Sequence, residues 1–175
     1  MTRITIPGPL QGKGRPRFDR RSMHAYTPER TRAYEARIRM AWIEAYGQKL
    51  DGPVSMRIVA MQALPSRATK AMREAAERGE IWPIRKPDLD NIIKIALDAL
   101  NGLAYADDTQ VVRIDAVKAY APAGQESGLI IDIGGIASGY GLQKRAAAAD
   151  ANHPQHGDRQ GIPQHPAGPG ADGPR

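Results

Sequence analysis

A single compact α+β domain with elements in the order β-α-β-α-α-β-β is predicted by three features of the chain. Apolar residues alternate over short runs at 3–6, 54–61, 110–120 and 129–133, the period-2 signature of strands. Two longer segments, about 28–46 and 89–100, space theirs at i, i+3, i+4 and i+7, the stripe of a half-buried helix. Hydrophobic residues make up 41% of the 175, with 5% aromatic, which at this length suits one real core and not two.

The elements follow in order. Arg3-Ile4-Thr5-Ile6 is a short strand closed by Pro7-Gly8-Pro9. Residues 11–24, QGKGRPRFDRRSMH, have no helical period, and their glycines and proline predict a loop. It carries Lys13, Arg15, Arg17, Arg20 and Arg21 with one aromatic, Phe18. That composition fits a phosphate-gripping arm, with a merely solvated basic loop as the plain alternative. Thr27-Pro28 predicts a helix start, with Thr27 as cap and Pro28 in the first helical position. This helix runs to about Tyr46-Gly47 and buries Tyr34, Ile38, Ala41, Trp42 and Ala45, with Arg30, Arg32, Arg37 and Arg39 off that face.

Asp51-Gly52-Pro53 turns the chain into a strand with Val54, Met56, Ile58 and Ala60 on one side. Ser66 is the expected cap of a short surface helix ending at Arg78-Gly79, and Trp82-Pro83 marks an extended lead-in to the next helix. After that helix, strands at 110–120 and 129–133 flank a Pro/Gly-rich turn and read as a hairpin, with Val112, Ile114 and Ala116 on one face and Leu129, Ile131 and Ile133 on another. From about residue 137 the chain turns to Ala, Gly, Pro, Gln and His. Such a tail buries too little apolar surface to offset its ordering entropy and is expected to be disordered, a short helix near 143–149 excepted.

Residues 86–108, KPDLDNIIKIALDALNGLAYADD, concentrate the chemistry. Leu89, Ile92, Ile93, Ala96, Leu97 and Leu100 form the expected buried stripe, and Asp90, Lys94 and Asp98 recur every four residues on the other side. Pro87 marks the start and Asn101-Gly102 the stop. With Asp88 in the extended entry and Asp90 in the first turn, both carboxylates can converge on one point. Asp107-Asp108 follows a short loop and is expected to return to the same helix tip if the next strand runs antiparallel to the helix. Three carboxylates held together repel by roughly 1–4 kcal/mol per close pair, so such a cluster implies a shared proton or a cation. Hard oxygen donors without Cys favour Mg²⁺ or Mn²⁺ over zinc. Each residue also has a plain alternative: Asp88 or Asp90 as a helix cap, Asp107-Asp108 as turn residues, and Lys94 as a solvated lysine.

Charge sharpens the reading. Residues 1–40 hold ten Lys/Arg against three acids, a net +7 in a chain of +6, so the remainder is −1. A basic arm beside an acidic cluster suits an enzyme acting on phosphodiesters. The absence of Cys excludes disulfides and thiolate zinc. No apolar run reaches membrane-span length and no signal-peptide pattern opens the chain, so a cytoplasmic protein with no membrane partner is expected. No G-x-x-x-x-G-K-[ST] loop is present, and no nucleotide cofactor is expected.

The sequence KPDLDNIIKIALDALNG-x-AYADDTQVV, together with KGRPRF and YTPERTRAYEARI, resembles the RusA-type Holliday junction resolvases, endodeoxyribonucleases common in prophages. The resemblance covers about residues 3–133. It implies a small mixed β-sheet flanked by helices, a RusA-like endonuclease domain over 1–136, and an intimate homodimer. It further implies that Asp88, Asp90 and Asp108 hold Mg²⁺ (or Mn²⁺), that Lys94 is the functional lysine, and that Asp107 and Asn91 support them. The expected activity is Mg²⁺-dependent resolution of four-way junctions by paired nicks, with Lys13, Arg15, Arg17, Arg20 and Arg21 gripping the DNA backbone. The alternative is a non-catalytic, structure-selective DNA-binding protein.

Overall fold

The computed structural model describes residues 1–19 and 23–136. Expectations for the tail from residue 137, and for Arg20 and Arg21, lie outside the described residues. The order of elements is β1 (Thr2–Pro7), β2 (Arg17–Asp19), β3 (His24–Tyr26), α1 (Glu29–Glu44), β4 (Val54–Gln62), α2 (Lys70–Glu77), α3 (Leu89–Leu100), β5 (Val111–Tyr120) and β6 (Gly128–Gly135). The predicted α+β order is therefore present, with one addition. The basic arm contains a small antiparallel hairpin, β2–β3, pairing Arg17 with Tyr26 and Asp19 with His24, where no regular structure was expected.

The main sheet is mixed and four-stranded, in the order β1-β6-β4-β5. β6 runs antiparallel to both β1 and β4, whereas β5 lies parallel to β4 at the edge. This corrects the expected β5–β6 hairpin. GLIIDIGG is buried along nearly its whole length, which suits an interior strand. β5 carries Arg113, Asp115 and Lys118, residues that suit an edge. A Pro/Gly-rich connection looks the same from sequence whether it turns back tightly or passes over a strand.

One core joins the sheet to the two long helices. Ile4 and Ile6 of β1, Met56 and Ile58 of β4, and Ile131 and Ile133 of β6 pack against Tyr34, Ile38 and Trp42 of α1 and Ile92, Ile95 and Leu100 of α3. The buried stripe of α3 is Ile92, Ile95, Ala96, Ala99 and Leu100. Leu89, Ile93 and Leu97 flank it half-buried, so the stripe is rotated from the one expected. On β5 a bulge does the same. Val54 pairs with Val111 and Ser55 with Arg113, leaving Val112 unpaired and 61% exposed while Ile114 and Ala116 turn toward the core.

Helix starts differ by small steps. Pro28 occupies the N-cap of α1, with no side-chain cap, where Thr27 was expected. Thr69, not Ser66, caps α2 by accepting from the Met72 amide. Gly102 takes the left-handed conformation just past α3 (φ 74°).

On the sheet face away from the helices, Arg3, Asp132, Arg57 and Asp115 fall in one row across all four strands. Arg3 donates from Nε and a terminal nitrogen to both Asp132 oxygens, at 2.6 and 3.0 Å. Those bonds lower the Asp132 pKa, against the opposing effect of its burial. A depressed carboxylate contributes stability above its unfolded value and loses it as pH falls through the folded one. The stability difference between wild type and Asp132→Asn is therefore expected to shrink as pH drops below about 4, as measured by urea unfolding across a pH series.

Candidate active site

The tip of α3 is built from three converging segments. Asp88 sits at the N-cap with extended backbone (φ −70°, ψ 147°) yet makes no side-chain capping bond. Its carboxylate is exposed, as are those of Asp90 in the first turn and the ammonium of Lys94 one turn on. Asn91 is half-buried and donates weakly to Asp90 at 3.4 Å. The capping alternative thus fails for Asp88, because the cap position is filled and the cap bond is not made.

The basic arm presses against this tip. The Lys13 amide donates to the Asn91 carbonyl at 2.8 Å. A Cβ at Gly12 would meet Asn91 Cβ at 2.9 Å and Pro87 Cβ at 3.1 Å, and one at Gly14 would meet Thr31 Oγ1 at 2.9 Å. Only glycine lets the arm come this close to α3 and α1. The result is an open cleft of about 690 Å³, with residues 10–15 on one wall and Lys86, Pro87, Asp88 and Asn91 on the other.

Lys13 was expected to grip DNA. Its ammonium instead lies 2.7 Å from Glu35 of α1 and 2.5 Å from Asp98 of α3, four-fifths shielded from solvent. Burial works against its charge, and the bonds to Asp98 and Glu35 outweigh it, so the pKa is raised. This charge ties the arm to both helices and is not offered to phosphate. Arg15 is exposed at the cleft mouth. Arg17 opens β2.

The segment before Asp88 is pinned from below. Lys118 Nζ donates to the carbonyls of Arg85 (2.6 Å) and Pro87 (2.9 Å), and Gln62 donates to that of Lys86 at 3.2 Å. Sequence reading missed this role for Lys118. The available signal was register: after Ile114 and Ala116, Lys118 falls on the face turned toward the helices, where a charge must find acceptors.

Asp108 lies elsewhere. It opens a single 3₁₀ turn, Asp108–Gln110, just before β5. Asp107 caps that turn by accepting from the Thr109 amide at 2.9 Å, and the Thr109 hydroxyl, then that amide, lower its pKa. Gln110 completes the cap, accepting from the Ala106 and Asp107 amides and donating to the Gly52 carbonyl. Asp107 is therefore a turn residue. Buried Tyr105 holds the loop to the far end of α3 by donating to the Leu97 carbonyl at 2.9 Å. Its burial, and then the charges of Asp108 and Asp98, push the phenol pKa up.

β5 does run antiparallel to α3, with Asp108 beside the helix's C-terminal half and Lys118 at its tip. But the acidic pair stands at the start of the strand, so it stays at the wrong end. What the strand delivers to the tip is Lys118. Val111 and Lys118 are seven positions apart on β5, about 23 Å at 3.3 Å per residue. Asp108 and Asp88 within one chain are thus on the order of 20 Å apart. Among the described residues, no three His, Cys, Asp or Glu side chains lie close enough together to hold a metal ion. The expectation that all three acids meet within one chain is corrected.

The family model described as "Endodeoxyribonuclease RusA" matches residues 7–133. That span takes in the arm, the cleft, α3 and the Asp107-Asp108 turn. The chain belongs to the RusA endodeoxyribonuclease family. It is also 32% identical over 124 residues to the protein YqaN of Bacillus subtilis (strain 168), described as uncharacterized, covering 68% of this chain and 87% of that one. RusA-family nucleases act on branched DNA and depend on divalent metal ions.

Within this RusA domain, Lys13→Met is expected to lower stability by about 1–3 kcal/mol, because Glu35 and Asp98 are left facing each other. Urea unfolding measures this. Junction binding by the same variant should keep the wild-type salt slope. A phosphate-gripping lysine would instead lower that slope by about 0.9.

Proposed function

We propose that this protein is a Mg²⁺-dependent endodeoxyribonuclease that resolves Holliday junctions by paired nicks and works as a homodimer. The observation that carries the proposal is the uncommitted carboxylate of Asp88 at an N-cap, lining a cleft with cationic edges, with Asp90 exposed in the first turn of the same helix, in a RusA-family chain. A helix cap that does not cap leaves an anion aimed at solvent, which the fold alone does not need.

The donor set fits a hard divalent ion. Asp88 and Asp90 offer carboxylate oxygens, and the chain has no Cys. Bound there, Mg²⁺ or Mn²⁺ would polarise the phosphate and supply a nucleophilic water at neutral pH. Lys94, exposed one turn from Asp90, would offset charge developing on the phosphate. Asn91 would orient the Asp90 carboxylate. Arg15 and Arg17 would hold the DNA backbone without reading sequence.

Two carboxylates are a weak site, and the third is too far away in the same chain. A second copy resolves this. β5 is an edge strand, with Asp108 near one end and the α3 tip near the other. A two-fold axis through the middle of that edge sets each Asp108 beside the partner's α3 tip, making two identical sites. The half-buried flank of Leu89, Ile93 and Leu97 on α3, with exposed Val112 on β5, supplies apolar surface for such a contact.

Subunit mixing tests this directly. Asp90→Asn and Asp108→Asn homodimers should each fail to cut a four-way junction in Mg²⁺. Mixed and re-equilibrated, they should regain single nicks, since a heterodimer holds one intact site. No recovery on mixing, with exchange of subunits verified, would rule out a site shared between two copies. Tight junction binding with no cutting by the wild type in Mg²⁺ or Mn²⁺ would favour the non-catalytic alternative.

A further inference from the structure

We infer that Trp82 and Ile84, on the segment leading into Asp88, form an apolar wedge that meets the open base faces at the centre of a DNA branch. The inference rests on the nuclease reading and names the feature by which that site tells a branch from plain duplex. Three observations carry it.

The first is exposure. Ile84 is 94% exposed, more than any other large apolar side chain among the described residues, and Trp82 is 55% exposed. Pro83 between them is buried, beside Gln62 at the end of β4 and Tyr120 at the end of β5. The backbone is thus seated through Pro83 while both its neighbours stand out from the surface. A lone exposed apolar residue is ordinary; what marks this pair is where it stands and how it is held.

The second is placement. Four residues lead from Ile84 to Asp88, a span of at most about 14 Å. DNA with a phosphate at Asp88 therefore has Ile84 within about four base-pair steps of that phosphate. The segment is also fixed, since Lys118 and Gln62 hold the carbonyls of Arg85, Lys86 and Pro87. A pair presented on a fixed backbone does not lose affinity to ordering its own loop. The third is charge. The next two residues, Arg85 and Lys86, are exposed cations. Apolar side chains interleaved with cations match DNA, a polyanion whose base faces are apolar. An apolar patch on a second copy would instead strip water from both charges. In a duplex the base faces are stacked and closed. At a branch point the stack is interrupted, so an apolar side chain can take the place of a stacked neighbour at little cost.

Acrylamide quenching of the full chain tests this, without divalent metal so that no strand is cut. The chain has two tryptophans, and Trp42 is buried, so the quenchable emission is that of Trp82. A saturating four-way junction is expected to shield Trp82 from the quencher, and a saturating duplex of the same arm sequence is not. Trp82→Ala should weaken junction binding about tenfold, the share of one base stacked on an aromatic ring, and leave duplex binding unchanged. Trp82→Phe should restore most of that loss, and Ile84→Ala should narrow the preference for junction over duplex. Equal shielding by duplex and junction overturns the wedge. So does shielding of Trp82 in the DNA-free protein that is lost on dilution, which would assign the pair to a contact between copies. If the wild type cuts junctions and Trp82→Ala binds them as tightly, the wedge falls and the nuclease reading stands. Junction-specific shielding in a protein that cuts no branched DNA does the reverse.

Discussion

The Lys13 ammonium, wedged between Glu35 and Asp98, is the contact on which the site's shape depends. It joins the arm, α1 and α3 through one charge. Without it, two shielded carboxylates on neighbouring helices would repel, and the arm would lose its anchor beside Asn91. Lys118 does the matching work from beneath, gripping the carbonyls that lead into Asp88. Two lysines thus spend their charge inside the protein so that the acids at the helix tip can present theirs outward. The net positive charge of the chain overstates what is available to DNA.

This explains why the sequence reads Lys13 as a solvated cation. A lysine in a glycine-rich loop looks solvated, because nothing local shows that the loop lies down on two helices. The glycines themselves held the clue. Gly12 and Gly14 leave no room for a side chain against Asn91, Pro87 and Thr31, and a lysine between two such contacts is drawn inward with the backbone. Arg15, just beyond them, escapes to the surface. The same logic separates the acids. Asp107 and Asp88 both precede a helical turn, yet Asp107 caps and Asp88 does not. Gln110 lies three residues after Asp107 and completes a reciprocal cap, whereas Asn91, three after Asp88, turns toward Asp90 instead.

Elements whose hydrophobic period is strong, such as β4 and α3, were legible because burial on one face dictates their pattern. Connectivity was not legible. Nothing in residues 121–127 distinguishes a tight turn from a passage over β4, and the choice depends on which strand needs two neighbours. β6, buried almost throughout, needs them; β5, with its bulge and charges, does not. The placement of Asp108 failed for a related reason. Sequence gives the direction in which a strand runs, but the position of a residue along it decides which end of the helix it reaches.

The separation of Asp108 from Asp88 follows from strand length, and strand length is hard to change. β5 must span the sheet beside β4, so its two ends lie far apart in any chain with this topology. If the third carboxylate comes from a second copy, each cutting site is complete only in the dimer, and both are completed at once. A monomer that meets DNA then holds it without breaking it. A four-way junction has the same two-fold symmetry as such a dimer, and matched nicks on opposing strands restore two continuous duplexes where one stray nick does not. An edge strand that keeps each chain's acids apart would in that case be the means by which the enzyme avoids cutting alone.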